Sequence, residues 1–282
     1  MGCHVRPAED TVWFEPPADV ADRMEHISHR LRFDEKNPWW VRIRELTRRA
    51  VERWGGAVSV AHTDLGGNLD ILSSFRTAQQ LLLDVIEQPD AVDRLLGQIT
   101  QCWLRFYDEL HAILAPAGRG TTPWAAIWSP QRTYMLQSDF AYMISPAMFE
   151  RFVLPDLEAC CEHLDHGFYH LDGKGQLGHL DMLLSIPRLR GVQWIPGTGQ
   201  SPPEEWMEVL ARIVAAGKRC QEYVTPDGAM KIVKELGGKG FALAVSAGDM
   251  TPMEINDFLR ALSQEDKNHP GWRVPTGPAG RG

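Results

Sequence analysis

The sequence predicts an α/β protein built around a parallel sheet, either a (β/α)8 barrel or an open sheet. Three observations predict it. Short apolar runs alternate with helical patterns through the second half of the chain. Four of those helices open with Ser-Pro or Thr-Pro. No G-x-G-x-x-G follows any run, which removes the main marker of an open dinucleotide-binding sheet. Strands of four to eight residues alternating with helices of about ten to fifteen imply βαβ units around a parallel sheet.

Along the chain, residues 1–40 read as irregular, broken by Pro16-Pro17 and Asn37-Pro38-Trp39-Trp40. A helix is expected from about Val41 to Trp54. Ala57–Leu65 then reads as a buried strand that enters the Gly66-Gly67 loop. From Asp90, the residues Val92, Leu95, Leu96, Ile99, Trp103, Phe106, Leu110 and Ile113 recur at steps of three and four. This is a long amphipathic helix ended by Pro116 and Gly118. Further strands are expected at Trp124–Trp128, Phe168–Leu171, Val192–Ile195, Cys220–Val224 and Phe241–Val245. With Ala57–Leu65 these make six, two short of a closed barrel.

The helix openings are Ser145-Pro146, Ser201-Pro202, Thr225-Pro226 and Thr251-Pro252. A hydroxyl caps free N–H groups there, and Pro in the first turn loses no hydrogen bond. Glu204 and Glu254, three residues after Ser201 and Thr251, complete two expected capping boxes. One domain over residues 1–265 and a disordered tail over 266–282 are expected, the tail from its Pro and Gly content.

At 282 residues the chain is long enough for one large core. A net charge of -8 argues against a nucleic-acid partner, because phosphate binding needs a basic surface. Five cysteines without framework spacing read as free thiols in a reducing compartment. Met1-Gly2-Cys3-His4 leads into no apolar signal core, and no apolar run reaches the roughly 18 residues of a membrane span. A cytoplasmic protein is expected.

A parallel barrel carries its ligands at the C-terminal ends of its strands. That rule selects Asp64, Trp128, His170, Asp172, Gln193, Trp194, Glu222 and Ser246. Tyr169-His170-Leu171-Asp172-Gly173 is the best candidate, since residues i and i+2 of a strand share a face. An imidazole beside a carboxylate binds a metal or works as an acid–base pair; alternatively, His170 donates to Asp172 and only shapes the strand end. Asp64, Asp70 and Asp139 are further carboxylates at strand ends or loops, each by itself more often a helix cap or turn residue. Tyr134, Gln137 and Trp194 are expected to line the pocket, with core packing the alternative for Trp194. Met250 and Met253 read as helix packing. His163, His166 and His179 read as surface or loop residues.

The segments T-D-L-G-G-N-L-D-I-L (63–72), Q-S-D-F-A-Y-M-I-S-P-A-M-F (137–149), Y-H-L-D-G (169–173), Q-W-I-P-G (193–197) and S-A-G-D-M-T-P-M-E-I-N (246–256) carry a resemblance. In their order and spacing they are similar to the uroporphyrinogen decarboxylase superfamily, which includes tetrapyrrole decarboxylases and cobalamin-linked methyltransferases. The resemblance runs from about Thr11 to Leu262 and is nearest to bacterial members of uncertain substrate. It implies a (β/α)8 TIM-type barrel in which Ala57–Leu65 is the third strand and Phe241–Val245 the eighth, so that the first two strands are lacking in this chain and it is N-terminally incomplete.

The resemblance also implies a pocket bordered by Asp139. Methyltransferases of the superfamily bind zinc through H-x-C and a later Cys. His170 matches that pattern, but Asp172 stands at the first Cys, and Val245-Ser246-Ala247 holds no second one. A harder site of His170, Asp172 and Glu222 is the metal site expected, for zinc or another divalent ion. The decarboxylases' late G-H-G falls at Ser246-Ala247-Gly248, without its histidine. Their substrate-gripping arginines lie in a region this chain lacks. The function expected is methyl transfer from a small substrate to a thiol or to a corrinoid on a partner protein, with His170, Asp172 and Asp139 catalytic. Decarboxylation of a porphyrinogen or another small carboxylic acid is the alternative, and a non-catalytic binding module or truncated remnant the third. A homodimer fits the superfamily.

Overall fold

A computed structural model describes residues 3–9, 12–17 and 24–270. The chain divides into two compact units, residues 1–190 and 191–282.

The first unit opens on an antiparallel hairpin of β1 (His4–Pro7) and β2 (Val12–Glu15), in a segment expected to be irregular. The short helix α1 (Met24–Ile27) precedes α2 (Pro38–Trp54). The Asn37 side chain caps α2 by accepting from the backbone N–H groups of Trp39 and Trp40, with Pro38 in the first turn. Next come α3 (Asn68–Arg76) and α4 (Ala78–Glu87). Thr77, at φ 65°, separates them and caps the second through its hydroxyl.

The long helix α5 (Pro89–Leu114) follows the expected period. It buries Val92, Leu95, Leu96, Ile99, Trp103, Tyr107 and Leu110 along one face. After β3 (Thr133–Gln137) come α6 (Pro146–Phe152), capped by Ser145, and α7 (Leu154–His163). β4 (His166–Asp172) lies parallel to β3, with Gln137 opposite His170. α8 (Leu180–Ser185) follows.

The expected strand at Ala57–Leu65 does not form. Its backbone is held instead by the His62 N–H on the Thr122 carbonyl at 2.9 Å and by the Tyr134 hydroxyl, which accepts from Leu65 N–H at 2.7 Å. Those bonds fix the segment without giving it the regular partner row that a ladder requires. Nor does Trp124–Trp128 form a strand. It is a loop closed by the Thr121–Ser129 bridge, and its apolar residues Ala125 and Ile127 pack on Met135. The strand of this region is β3, whose Tyr-Met-Leu core is short and flanked by polar residues.

In the second unit, β5 (Leu189–Ile195, opening on the last two residues of the first unit), β6 (Arg219–Val224) and β7 (Phe241–Val245) form a parallel ladder. The helices α9 (Met207–Ala215), α10 (Pro226–Leu236) and α11 (Pro252–Asn268) alternate with these strands. Thr225 caps α10, and Thr251 with Glu254 closes the expected capping box of α11. The Ser201 box does not form: Pro202 and Pro203 open a short 3-10 turn, and α9 starts only at Met207.

Five strands thus lie in parallel ladders, β3–β4 and β5–β6–β7, where six had been expected. α11 continues three residues into the expected tail, and residues 271–282 lie outside the described ones. Met253 is 72% exposed on α11 rather than packed. Among the described residues, no helix is long and apolar enough to cross a membrane.

Candidate functional site

The β3–β4 pairing builds the candidate site. Beyond Gln137 the chain passes through Ser138 into a 3-10 turn over Asp139–Met143, which carries Asp139 past the strand end. On β4 the burial alternates, so His166, Phe168, His170 and Asp172 share the more accessible face while Tyr169 and Leu171 are buried. One donor atom each from Asp139, His170 and Asp172 lies within 4.8 Å of the others. His170 Nε2 stands 3.9 Å from Asp172 Oδ2, and the Trp124 ring packs edge-on against His170 at 5.1 Å.

The surrounding contacts hold these groups in place. Asp70, in the first turn of α3, accepts the backbone N–H groups of Asp139 at 3.0 Å and Phe140 at 2.8 Å. Burial pushes the Asp70 carboxyl up to about 6, against those two hydrogen bonds. The Asp139 carboxyl is raised as well, first by desolvation; the His170 charge opposes this, while Asp172 and Asp64 add to it. Beneath the turn, Tyr169 donates to Gln176, whose amide donates to the Ser138 carbonyl. Two glycines are required by close approach. A Cβ on Gly67 would collide with the Gln137 carbonyl and Asp70, and Gly173, at φ 83°, lies against the Tyr142 ring.

Beside Asp139 lies a cleft of about 570 Å³, lined among others by Phe14, Trp39, Asp64, Asp70 and Gln137. A recess of about 230 Å³ continues it between Trp40, Trp103 and Phe106. Asp64 Oδ1 accepts from Gly66 N–H at 2.8 Å, and its second oxygen stands 3.5 Å from the Gln137 amide.

Of the expected site residues, the structure brings together Asp139, His170 and Asp172, with Asp64 and Gln137 at the cleft. Others go elsewhere. Trp128 is 61% exposed and donates to the Arg119 carbonyl; Trp124 takes the place beside His170. Tyr134 is buried and binds the Thr63–Leu65 backbone, so it positions Asp64 rather than lining the cleft.

Glu222, expected as a metal ligand, is fully buried. It accepts from Cys220 Sγ at 3.0 Å and Trp194 N–H at 3.3 Å, and burial raises its carboxyl well above the usual range. Burial thus disfavours the ionised form in which a carboxyl binds a metal. Gln193 is buried and donates to Gln221, and Trp194 packs against Trp206 as core. Ser246 is exposed and its backbone bonds to Val224.

His179 is not a surface residue: it is buried, stacked 4.4 Å from Phe149, with Nε2 at the Ala141 carbonyl. The part played by Asp70 had one signal in the sequence, a carboxylate just after a Gly-Gly turn. That of Trp124 had one as well, its pairing with Trp128 in a tryptophan cluster that suits a pocket wall as much as core.

One imidazole and two carboxylates are a nitrogen–oxygen donor set, suited to zinc, iron or manganese and unlike a thiolate site. No family model matches the sequence, and none of the curated proteins matches it. Among solved structures, a methyltransferase from Methanosarcina mazei is similar with a TM-score of 0.56 and 16% identity, over 95% of this chain and 75% of that chain. The chain therefore has an α/β fold related to that of a methyltransferase.

Proposed function

We propose that this chain is a methyltransferase of the uroporphyrinogen decarboxylase type, moving a methyl group from a small substrate to a thiol or to a corrinoid carried by a partner protein. The convergence of Asp139, His170 and Asp172 at one end of the β3–β4 pair carries this reading. The likeness in fold to a methyltransferase is compatible with it.

A divalent ion held by these three residues would lower the pKa of a bound thiol and so keep it as thiolate. The chain's own residues do the rest. Asp70 fixes the backbone of Asp139, and the Trp124 edge limits rotation of His170. The cleft beside Asp139 holds the donor. Decarboxylation of a porphyrinogen fits less well, because a polycarboxylate would meet Asp64, Asp70 and Asp139 with no Lys or Arg among the described lining residues.

The test is elemental analysis of the purified chain and of His170→Ala. Near-stoichiometric zinc or another divalent metal, lost in the variant, supports the reading. Metal absent from both overturns it.

A further inference from the structure

The cleft next to Asp139 has a marked chemical bias. Phe14, Trp39 and Phe75 give it ring surface, and Trp40, Trp103 and Phe106 extend that surface into the adjoining recess. Asp64, Asp70 and Asp139 give it carboxylates, with Asp34 at the recess. Among the described residues, no Lys, Arg or His lines either space. Nor does Asp64, Asp70 or Asp139 form an ion pair with Lys or Arg among those residues. The Cys3 thiol at the rim adds no charge, since burial pushes it up to about 11.

An anion would be repelled by this lining, and a neutral ligand would leave Asp64 and Asp70 without a counter-charge. Both Asp70 oxygens already hold backbone amides, so Asp70 has fewer free lone pairs to offer a cation rich in N–H groups. A methylated ammonium fits better. It carries its charge on methyl surface, has few or no N–H groups, and is attracted both to ring faces and to nearby carboxylates. Trp39 already accepts a cation in this way, with the Arg42 guanidinium 4.8 Å from its ring centroid.

We infer that this cleft binds a methylated ammonium group, which serves as the methyl donor; the role as donor rests on the methyl-transfer reading above. In the step, the N–CH3 bond breaks and its electron pair stays on nitrogen, leaving an uncharged tertiary amine. The methyl carbon bonds to the sulfur of a thiolate acceptor, which becomes a thioether.

The test compares choline with 3,3-dimethylbutan-1-ol, its uncharged carbon isostere, by calorimetry on the unmodified chain. Choline is expected to bind roughly tenfold more tightly than the isostere, as the cation–π and carboxylate attractions require. Asp64→Asn should reduce that preference, and Trp39→Ala should weaken choline binding several-fold. No measurable choline binding, or equal binding of the two probes, overturns the inference whatever the metal content. Preferential choline binding in a chain that holds no metal sustains the cleft's specificity and refutes the methyl-transfer reading alone.

Discussion

The Asp70 carboxylate accepts the backbone N–H of Asp139 at 3.0 Å, so a residue in the first turn of α3 sets the position of a candidate ligand 69 residues later. Asp70 is thus a positioning residue. Asp70→Ala should weaken metal binding by about tenfold, the usual cost of losing a group that orients a ligand. Asp70→Asn, which keeps one oxygen acceptor, should cost less. Titration with zinc or manganese decides the matter, and equal affinity in all three proteins would show that the turn is held by other contacts.

His62 makes stability depend on acidity. It is 2% exposed, stacked 4.7 Å from Tyr107, and neither ring nitrogen has a hydrogen-bond partner among the described residues. Burial, aided by the charges of His111 and Arg132, pushes its pKa down to about 3. The unfolded chain takes up a proton below the ordinary value of about 6.5, while the folded chain refuses it. This contribution is therefore present above pH 6.5 and is lost as pH falls towards 3. His62→Phe keeps the stack and should gain on the parent by about 1.4 kcal/mol per pH unit across that window. Denaturant melts at pH 8 and pH 5 measure it; a constant difference at the two values would refute the assignment.

Arg76 and Asp84 form a buried two-pronged pair at 2.6 and 2.9 Å, with side chains 6% and 0% exposed. Asp84→Ala should cost about 3 kcal/mol or more, mostly from leaving a guanidinium buried without its counter-charge. The double variant Arg76→Met, Asp84→Leu should recover most of that loss. Chemical denaturation of the three chains tests it.

Thr251 caps a helix of which no residue is buried. Thr251→Ala should cost the helix about 1 kcal/mol. The loss should appear as faster hydrogen exchange within α11, with little change in the melting of the core, because α11 contributes little buried surface to it. A large fall in the main transition would mean that α11 folds as one unit with the rest.

Several parts of the fold could be read directly from the chain. α5 announced itself through apolar residues at three- and four-residue steps, and the caps at Ser145, Thr225 and Thr251 through hydroxyl-Pro pairs. Such signals are local, since each depends on residues one or two turns apart. Strand assignment was weaker. Ala57–Leu65 and Trp124–Trp128 have strand composition, yet a strand exists only where a neighbour offers its row of hydrogen bonds, and neither segment has one.

The sequence by itself determined the alternation of strands and helices and the shared face of His170 and Asp172, because backbone periodicity alone fixes both. Asp139 had been expected near the pocket, but tertiary structure alone decided that it, and not Glu222, is the third member of the candidate metal site. Asp139 joins the pair because β3 lies beside β4 and Asp70 anchors the turn beyond it, whereas Glu222 is buried against Cys220 and Trp194. Long-range pairing and burial are properties of the packed chain, which no short window of residues encodes.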